Sequence, residues 1–181
     1  MRQTHLLAFL VLLVGCRASV AGGWFFHEFG ELRAYHQDFL NVCTQAGHGE
    51  CRTVQYRLPP GGDSFFGDAS LTVRRTAPRE YRVEVFVRDL PDVPQGPMTV
   101  MVGGEVLLIR EDQWAPGTSQ YTNVAETFHL SDASLNGRLV KLMRRSRALR
   151  IIYEGGKGQV RFSLRGFSAA LDAIEQLVKS R

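Results

Sequence analysis

Lysine is nearly missing from this chain, with three lysines against nineteen arginines in 181 residues. Long apolar runs are missing too. The run Leu6–Gly15 has ten residues, about 15 Å of helix or half a bilayer core, too short for a permanent transmembrane anchor. No Gly-x-Ser-x-Gly elbow, phosphate-binding Walker loop, His-Glu-x-x-His or Cys-x-x-Cys occurs, so no local motif announces a nucleophile, a nucleotide site or a metal. There is no low-complexity stretch and no internal repeat. The formal charge of +4 falls to +3 if Arg2 is removed and to +2 if Arg17 goes as well. The basic balance is therefore no argument for a nucleic-acid partner, and none is expected.

What is present begins at the N-terminus. Arg2 precedes the short apolar core, and small residues follow, ending in Ser19-Val20-Ala21. That is the layout of a secretory signal. Two cuts fit it. Leu13-Val14-Gly15-Cys16 resembles a bacterial lipobox, which makes Cys16 a lipidation candidate; the other cut falls after Ala21. Residues 1–21 are read as the signal and 22–181 as a single β-rich extracytoplasmic domain. A mature chain of about 160 to 165 residues is long enough for one proper core.

Only three cysteines occur, Cys16, Cys43 and Cys51. Setting Cys16 aside leaves an even pair in a compartment where disulfides persist, so a Cys43–Cys51 bridge is expected. The competing reading is a zinc set of His36, Cys43, His48 and Cys51, whose spacing matches no compact ligand template.

The body of the chain alternates with period two. In Thr53–Leu58, Val54, Tyr56 and Leu58 share one face and are expected to point inward. In Glu80–Arg88 the inward set is Tyr81, Val83, Val85 and Val87. Leu71–Arg75 is a shorter strand. Gly103-Gly104 makes a tight hairpin between Met98–Val102 and Glu105–Arg110, and Leu149–Tyr153 pairs with Gln159–Leu164. Further strands are expected near Phe29–Tyr35 and Asn123–Leu130. Pro59–Asp63 and Pro91–Pro97 are loops. Two helices interrupt the pattern. One is capped by Ser131, with Leu135, Leu139 and Leu142 inward; the other runs from Ser168 to Lys179, with a Glu175–Lys179 pair on its surface. The expected fold is mainly β, an antiparallel β-sandwich or jelly-roll-like domain with two short helices, one of them C-terminal.

The segment Val160–Leu171 carries a strand, a Ser163-Leu164-Arg165-Gly166-Phe167 turn and the Ala170-Leu171 pair of a helix. It resembles the end of the invasion-associated locus B family of exported bacterial proteins. Phe29–Cys51 is similar to that family's opening, a first strand followed by cysteine. The chain lacks the further mid-domain cysteine pair that the family often has. The resemblance implies a β-rich periplasmic or outer-membrane-associated domain with an envelope or host-interaction role, and no catalytic residues to carry over.

The expected function is thus a non-catalytic binding or structural role at the bacterial envelope, with no cofactor and no resident metal. Its partner is an envelope or host protein, or an anionic membrane surface. The basic run Arg144, Arg145, Arg147 and Arg150 is the candidate patch for an anionic partner. The alternative is a small periplasmic enzyme or metal-binding protein using His36, His48 and nearby carboxylates. Loop carboxylates such as Asp63, Asp68, Glu111 and Asp112 read as solvated. The aromatic group Trp24, Phe25, Phe26 and Phe29 reads as core.

Overall fold

The structure is a computed structural model that describes residues 23–57, 68–88, 96–116, 127–153 and 158–181. The proposed signal, Cys16, the Pro59–Asp63 loop and the tip of the second glycine hairpin lie outside the described residues.

Alternating sequence becomes two antiparallel sheets. The first eight-stranded sheet takes β1 (Phe25–His27), β2 (Glu31–His36), β3 (Phe39–Cys43), β4 (Cys51–Arg57), β5 (Ala69–Ala77) and β6 (Glu80–Val87) in sequence order. It is completed by β10 (Thr127–Leu130) and, beyond it, β9 (Trp114–Pro116). The second sheet has the order β12 (Gly158–Ser163), β11 (Ala148–Tyr153), β7 (Met98–Val102), β8 (Glu105–Ile109). Inner residues of both sheets, among them Leu71, Val83, Val100, Leu149 and Phe162, share one core, a sandwich-like layout. The Gly103-Gly104 hairpin forms as expected, with both glycines at positive φ (58° and 84°), the twist that matches flanking antiparallel strands.

The helices cover what the short sheet leaves open. Helix α1 (Ala133–Met143) packs on β6 and β10, and α2 (Phe167–Lys179) packs on β2, β3 and β4. Asp132, one residue later than expected, caps α1 by accepting a hydrogen bond from the Leu135 N–H at 3.0 Å. A carboxylate suits the positive end of the helix dipole better than a hydroxyl. Ser131 instead turns back, its hydroxyl donating to the Asp112 carbonyl. Within α1, buried Asn136 extends the sheet. It accepts from the Val83 N–H (2.7 Å) and donates to the Leu130 and Asp132 carbonyls, so it satisfies backbone where β10 ends.

The start of α2 depends on Gly166, which has φ 84°. A side chain there would meet the His36 carbonyl, so only glycine lets the strand-to-helix turn lie against the β2–β3 turn. Asn41 then ties β3 to the helix by donating to the Ala170 carbonyl at 2.8 Å. Cys43 and Cys51, directly opposite in register, are joined by the expected disulfide beneath Ile174.

Besides the Ser131 cap, three expectations need correction. Strand β4 is buried on both faces in its middle: Val54 is buried as expected, but Thr53 and Gln55 on the opposite face are buried too, while Tyr56 is 54% exposed. Cys51, Thr53 and Gln55 share a face, and the disulfide commits that face to α2. Phe25, Phe26 and Phe29 are exposed by 40%, 64% and 75%, not core, because β1 is a three-residue edge strand with little above it; Trp24 alone packs against the disulfide cluster. Glu175 does not pair with Lys179. It turns inward to accept from Arg75 Nε (3.0 Å), Tyr81 Oη (2.9 Å) and the Arg79 N–H (3.3 Å).

Candidate functional site

Alternation leaves each sheet an outer face, and the two faces are built differently. On the long sheet, cross-strand register lines up Arg33, Val42, Arg52, Arg74 and Arg82. Glu31 accepts from Arg33 and lies 3.8 Å from Arg52. Glu84 accepts from Arg74 and Arg82, each through Nε at 3.1 Å, and Glu50 accepts from Arg74 Nη1 at 2.8 Å. Arginine stems lie over the face as well; Val42, between two of them, is buried. Burial opposes ionisation of Glu84, but Arg74 and Arg82 outweigh it and hold its carboxyl below the usual range. This face neutralises itself.

The short sheet has no such partners. Its register gives one outer row of Arg161, Arg150, Met101 and Val106, and a second of Gln159, Ile152, Thr99 and Leu108. No residue in either row is a carboxylate. Arg150 and Arg161 face each other and are both exposed. Met101, Val106 and Leu108 are exposed by 39%, 61% and 64%. The face is cationic on β11 and β12 and apolar on β7 and β8.

The arginines singled out in the sequence divide between different settings. Arg144 is half-buried and donates to Asp172 at 2.8 Å. It also stands beside Tyr81, whose hydroxyl burial and Glu175 push up to about 12. Its carbonyl accepts from Ser168, so it binds the end of α1 to α2. Arg145 and Arg147 are exposed in the link to β11, and Arg150 lies on the short sheet's outer face. Arg161, Met101, Val106 and Leu108 were not anticipated. Leu107 and Ile109 point into the core, while Val106 and Leu108 alternate onto the outer face, where they are exposed together with Met101 of the neighbouring strand.

The histidines do not meet. His36 lies by the start of α2, where Gly166 touches its carbonyl, and burial pulls its pKa below the ordinary value. His48 lines a groove with Val178 and Arg181, at the helix's other end. Thirteen residues of helix, about 20 Å, separate these ends. Among the described residues no group of three or more His, Cys, Asp or Glu side chains is placed to hold a metal. Asp68 pairs with Arg57 at 3.1 Å, and Asp112 with Arg110 at 3.0 Å.

Fold and faces together define a mainly antiparallel β protein of two sheets with two helices, and no described helix is long and apolar enough to cross a membrane. No family model, curated protein or solved structure matches the chain.

Proposed function

We propose that this is an exported bacterial envelope protein that binds rather than catalyses, and that it holds an anionic membrane surface against the outer face of its short sheet. One observation carries the reading. Arg150 and Arg161 sit in register beside exposed Met101, Val106 and Leu108, with no carboxylate in either row. Cations for headgroups beside apolar side chains for the acyl boundary make a peripheral membrane surface. The secretory layout of residues 1–21 supports the location, and lipidation at Cys16 would add a second anchor of the kind that makes membrane attachment stable. The resemblance of Val160–Leu171 to the invasion-associated locus B family points the same way.

Vesicle co-sedimentation of the exported protein tests this. Vesicles mixing phosphatidylglycerol with phosphatidylcholine should pull the protein down, and phosphatidylcholine alone should not. Binding should fade as salt rises. R150S/R161S should weaken it roughly 30-fold, at about 1 kcal/mol for each arginine near the surface. Equal binding by the double variant would remove this face from the reading. A hydrolytic activity abolished by His36→Ala or His48→Ala would remove the non-catalytic role itself.

A further inference from the structure

A second cationic surface lies at the disulfide end of the long sheet. A groove of about 520 Å³ opens between the 47–51 loop, the end of β5, the start of β6 and the end of α2. Its lining includes Arg74, Arg75, Arg82 and Arg181 against Glu50, with His48 and Thr76 beside them.

Each guanidinium has a different amount of bonding capacity left. Arg74 is used up, with Nε and Nη2 on Glu84 and Nη1 on Glu50. Arg75 is held only through Nε, on Glu175. Arg82 is likewise held through Nε, on Glu84. Arg181 donates from Nη2 to the Ala46 carbonyl at 3.2 Å, and its guanidinium lies where a side chain at Gly47 would be. Among the described residues, the Nη groups of Arg75 and Arg82 and Nη1 of Arg181 have no hydrogen-bond partner. Glu84 and Glu175 therefore act as rear anchors. They fix two arginines by one edge and leave the other edge unpaired. The disulfide holds the opposite wall, because Cys51 follows Gly47–Glu50 directly.

Anchoring of this kind lowers the entropy lost when a guanidinium takes up a ligand. Guanidinium edges match oxyanions bidentately, and three of them around one groove suit a tetrahedral group with several oxygens better than a planar carboxylate. The volume falls in the range of small-ligand sites, about 300–1,000 Å³, and the polar lining calls for a polar ligand. We propose that this groove binds a phosphomonoester, with its phosphoryl oxygens on Arg75, Arg82 and Arg181. The site is on a different sheet from the membrane face above, and neither depends on the other.

The test is calorimetric titration of the exported full chain with glycerol phosphate, pyrophosphate and citrate, together with sedimentation on phosphatidic acid vesicles. Saturable binding of glycerol phosphate, tighter than that of pyrophosphate, is expected, with R82Q/R181A weakening it about tenfold or more. R82K/R181K, which keeps the charge and loses the planar edge, should fall between the two. Neither arginine is buried, and circular dichroism is to check that the variants fold. Vesicle binding that survives R150S/R161S but is lost in R82Q/R181A supports the site and assigns the phosphate to a lipid headgroup. Glycerol phosphate binding without such vesicle binding supports the site and assigns a soluble ligand. No saturable phosphate binding, binding unchanged in R82Q/R181A, or citrate bound as tightly through the same arginines would each overturn the proposal.

Discussion

The outer faces of the two sheets both carry arginines in facing rows, yet only on the long sheet do the adjacent rows of the same face supply carboxylates. On the long sheet, Glu84 stands one register step from both Arg74 and Arg82 and joins them. On the short sheet, Arg150 and Arg161 face each other across β11 and β12, and the next residue in their row is Met101. The same side chain serves as an internal fastening in one place and as a free cation in the other. What decides is whether a carboxylate stands beside the arginine on the same face, two residues along its own strand or across on another, so a count of nineteen arginines predicts neither use.

The difference breaks most completely if the long sheet loses its helix. Gly166→Ala forces a side chain to φ 84° against the His36 carbonyl, and should lower stability by about 3 kcal/mol from backbone strain and overpacking together. Hydrogen exchange should then show β2, β3 and β4 losing protection while β7 and β11 keep theirs. Uniform loss across both sheets would mean that α2 does not cover the long sheet as a separate unit.

Removing a fastening is the next largest change. Glu84→Gln leaves Arg74 and Arg82 without their shared carboxylate in a half-buried setting, and urea unfolding should report a loss of about 2 kcal/mol. R150S/R161S should stay within about 0.5 kcal/mol of wild type, since neither arginine holds a partner in its row. Equal losses from the two changes would abolish the distinction between the faces.

Acid should separate them as well. Burial disfavours the charged forms of Glu84 and Glu175, but their hydrogen-bond donors outweigh it, so both carboxyls titrate below the ordinary 4.5 in the folded state. The unfolded chain therefore takes up protons first as pH falls. Their contribution is fully present above about pH 4.5 and is lost as pH drops through the lowered values. Melting temperature should decline over that range, and less steeply in Glu84→Gln. The short sheet's outer rows hold no carboxylate, so vesicle binding should survive acidification for as long as the fold does.

One substitution should give a gain. Thr53 is fully buried on the inner face of β4, and its hydroxyl has no partner among the described residues. Val73 lies beside it in register, with Val83 on the next strand. Thr53→Val keeps the shape and removes an unpaired polar group, and should raise stability by about 1 kcal/mol. A loss of similar size would show that the hydroxyl is bonded in solution.

Much of the fold is legible in the sequence wherever local pattern and environment agree. Val83, Val85 and Val87 point inward as their alternation implies, and so do Val160, Phe162 and Leu164. The Gly103-Gly104 turn, the Cys43–Cys51 bridge and the helix following Phe167 rest on local chemistry and appear where expected. Agreement ends where a residue's setting is decided by something distant in sequence. Tyr56 reads as buried and is exposed, because the disulfide and α2 claim the opposite face of β4. Phe25, Phe26 and Phe29 read as core and are exposed, because they lie on and beside a short edge strand. The surfaces proposed for binding are the least legible part. The basic run 144–150 marks one region of the chain, whereas the structure sends Arg144 to Asp172 and pairs Arg150 with Arg161.

The sequence by itself determined the cysteine pairing, the positions of most strands and both helices, and the phase of most strands. These depend on spacing, turn residues and hydrophobic periodicity, all local properties of the chain. Only the tertiary structure decided which arginines are held and which are free, which strand lies at an edge, and which end of α2 meets the disulfide loop. Those outcomes depend on which strands become neighbours. A guanidinium's bonding is set by the groups within about 4 Å of it in space, and residues as far apart as Arg75 and Glu175 reach that distance only when the sheets and helices close around one core.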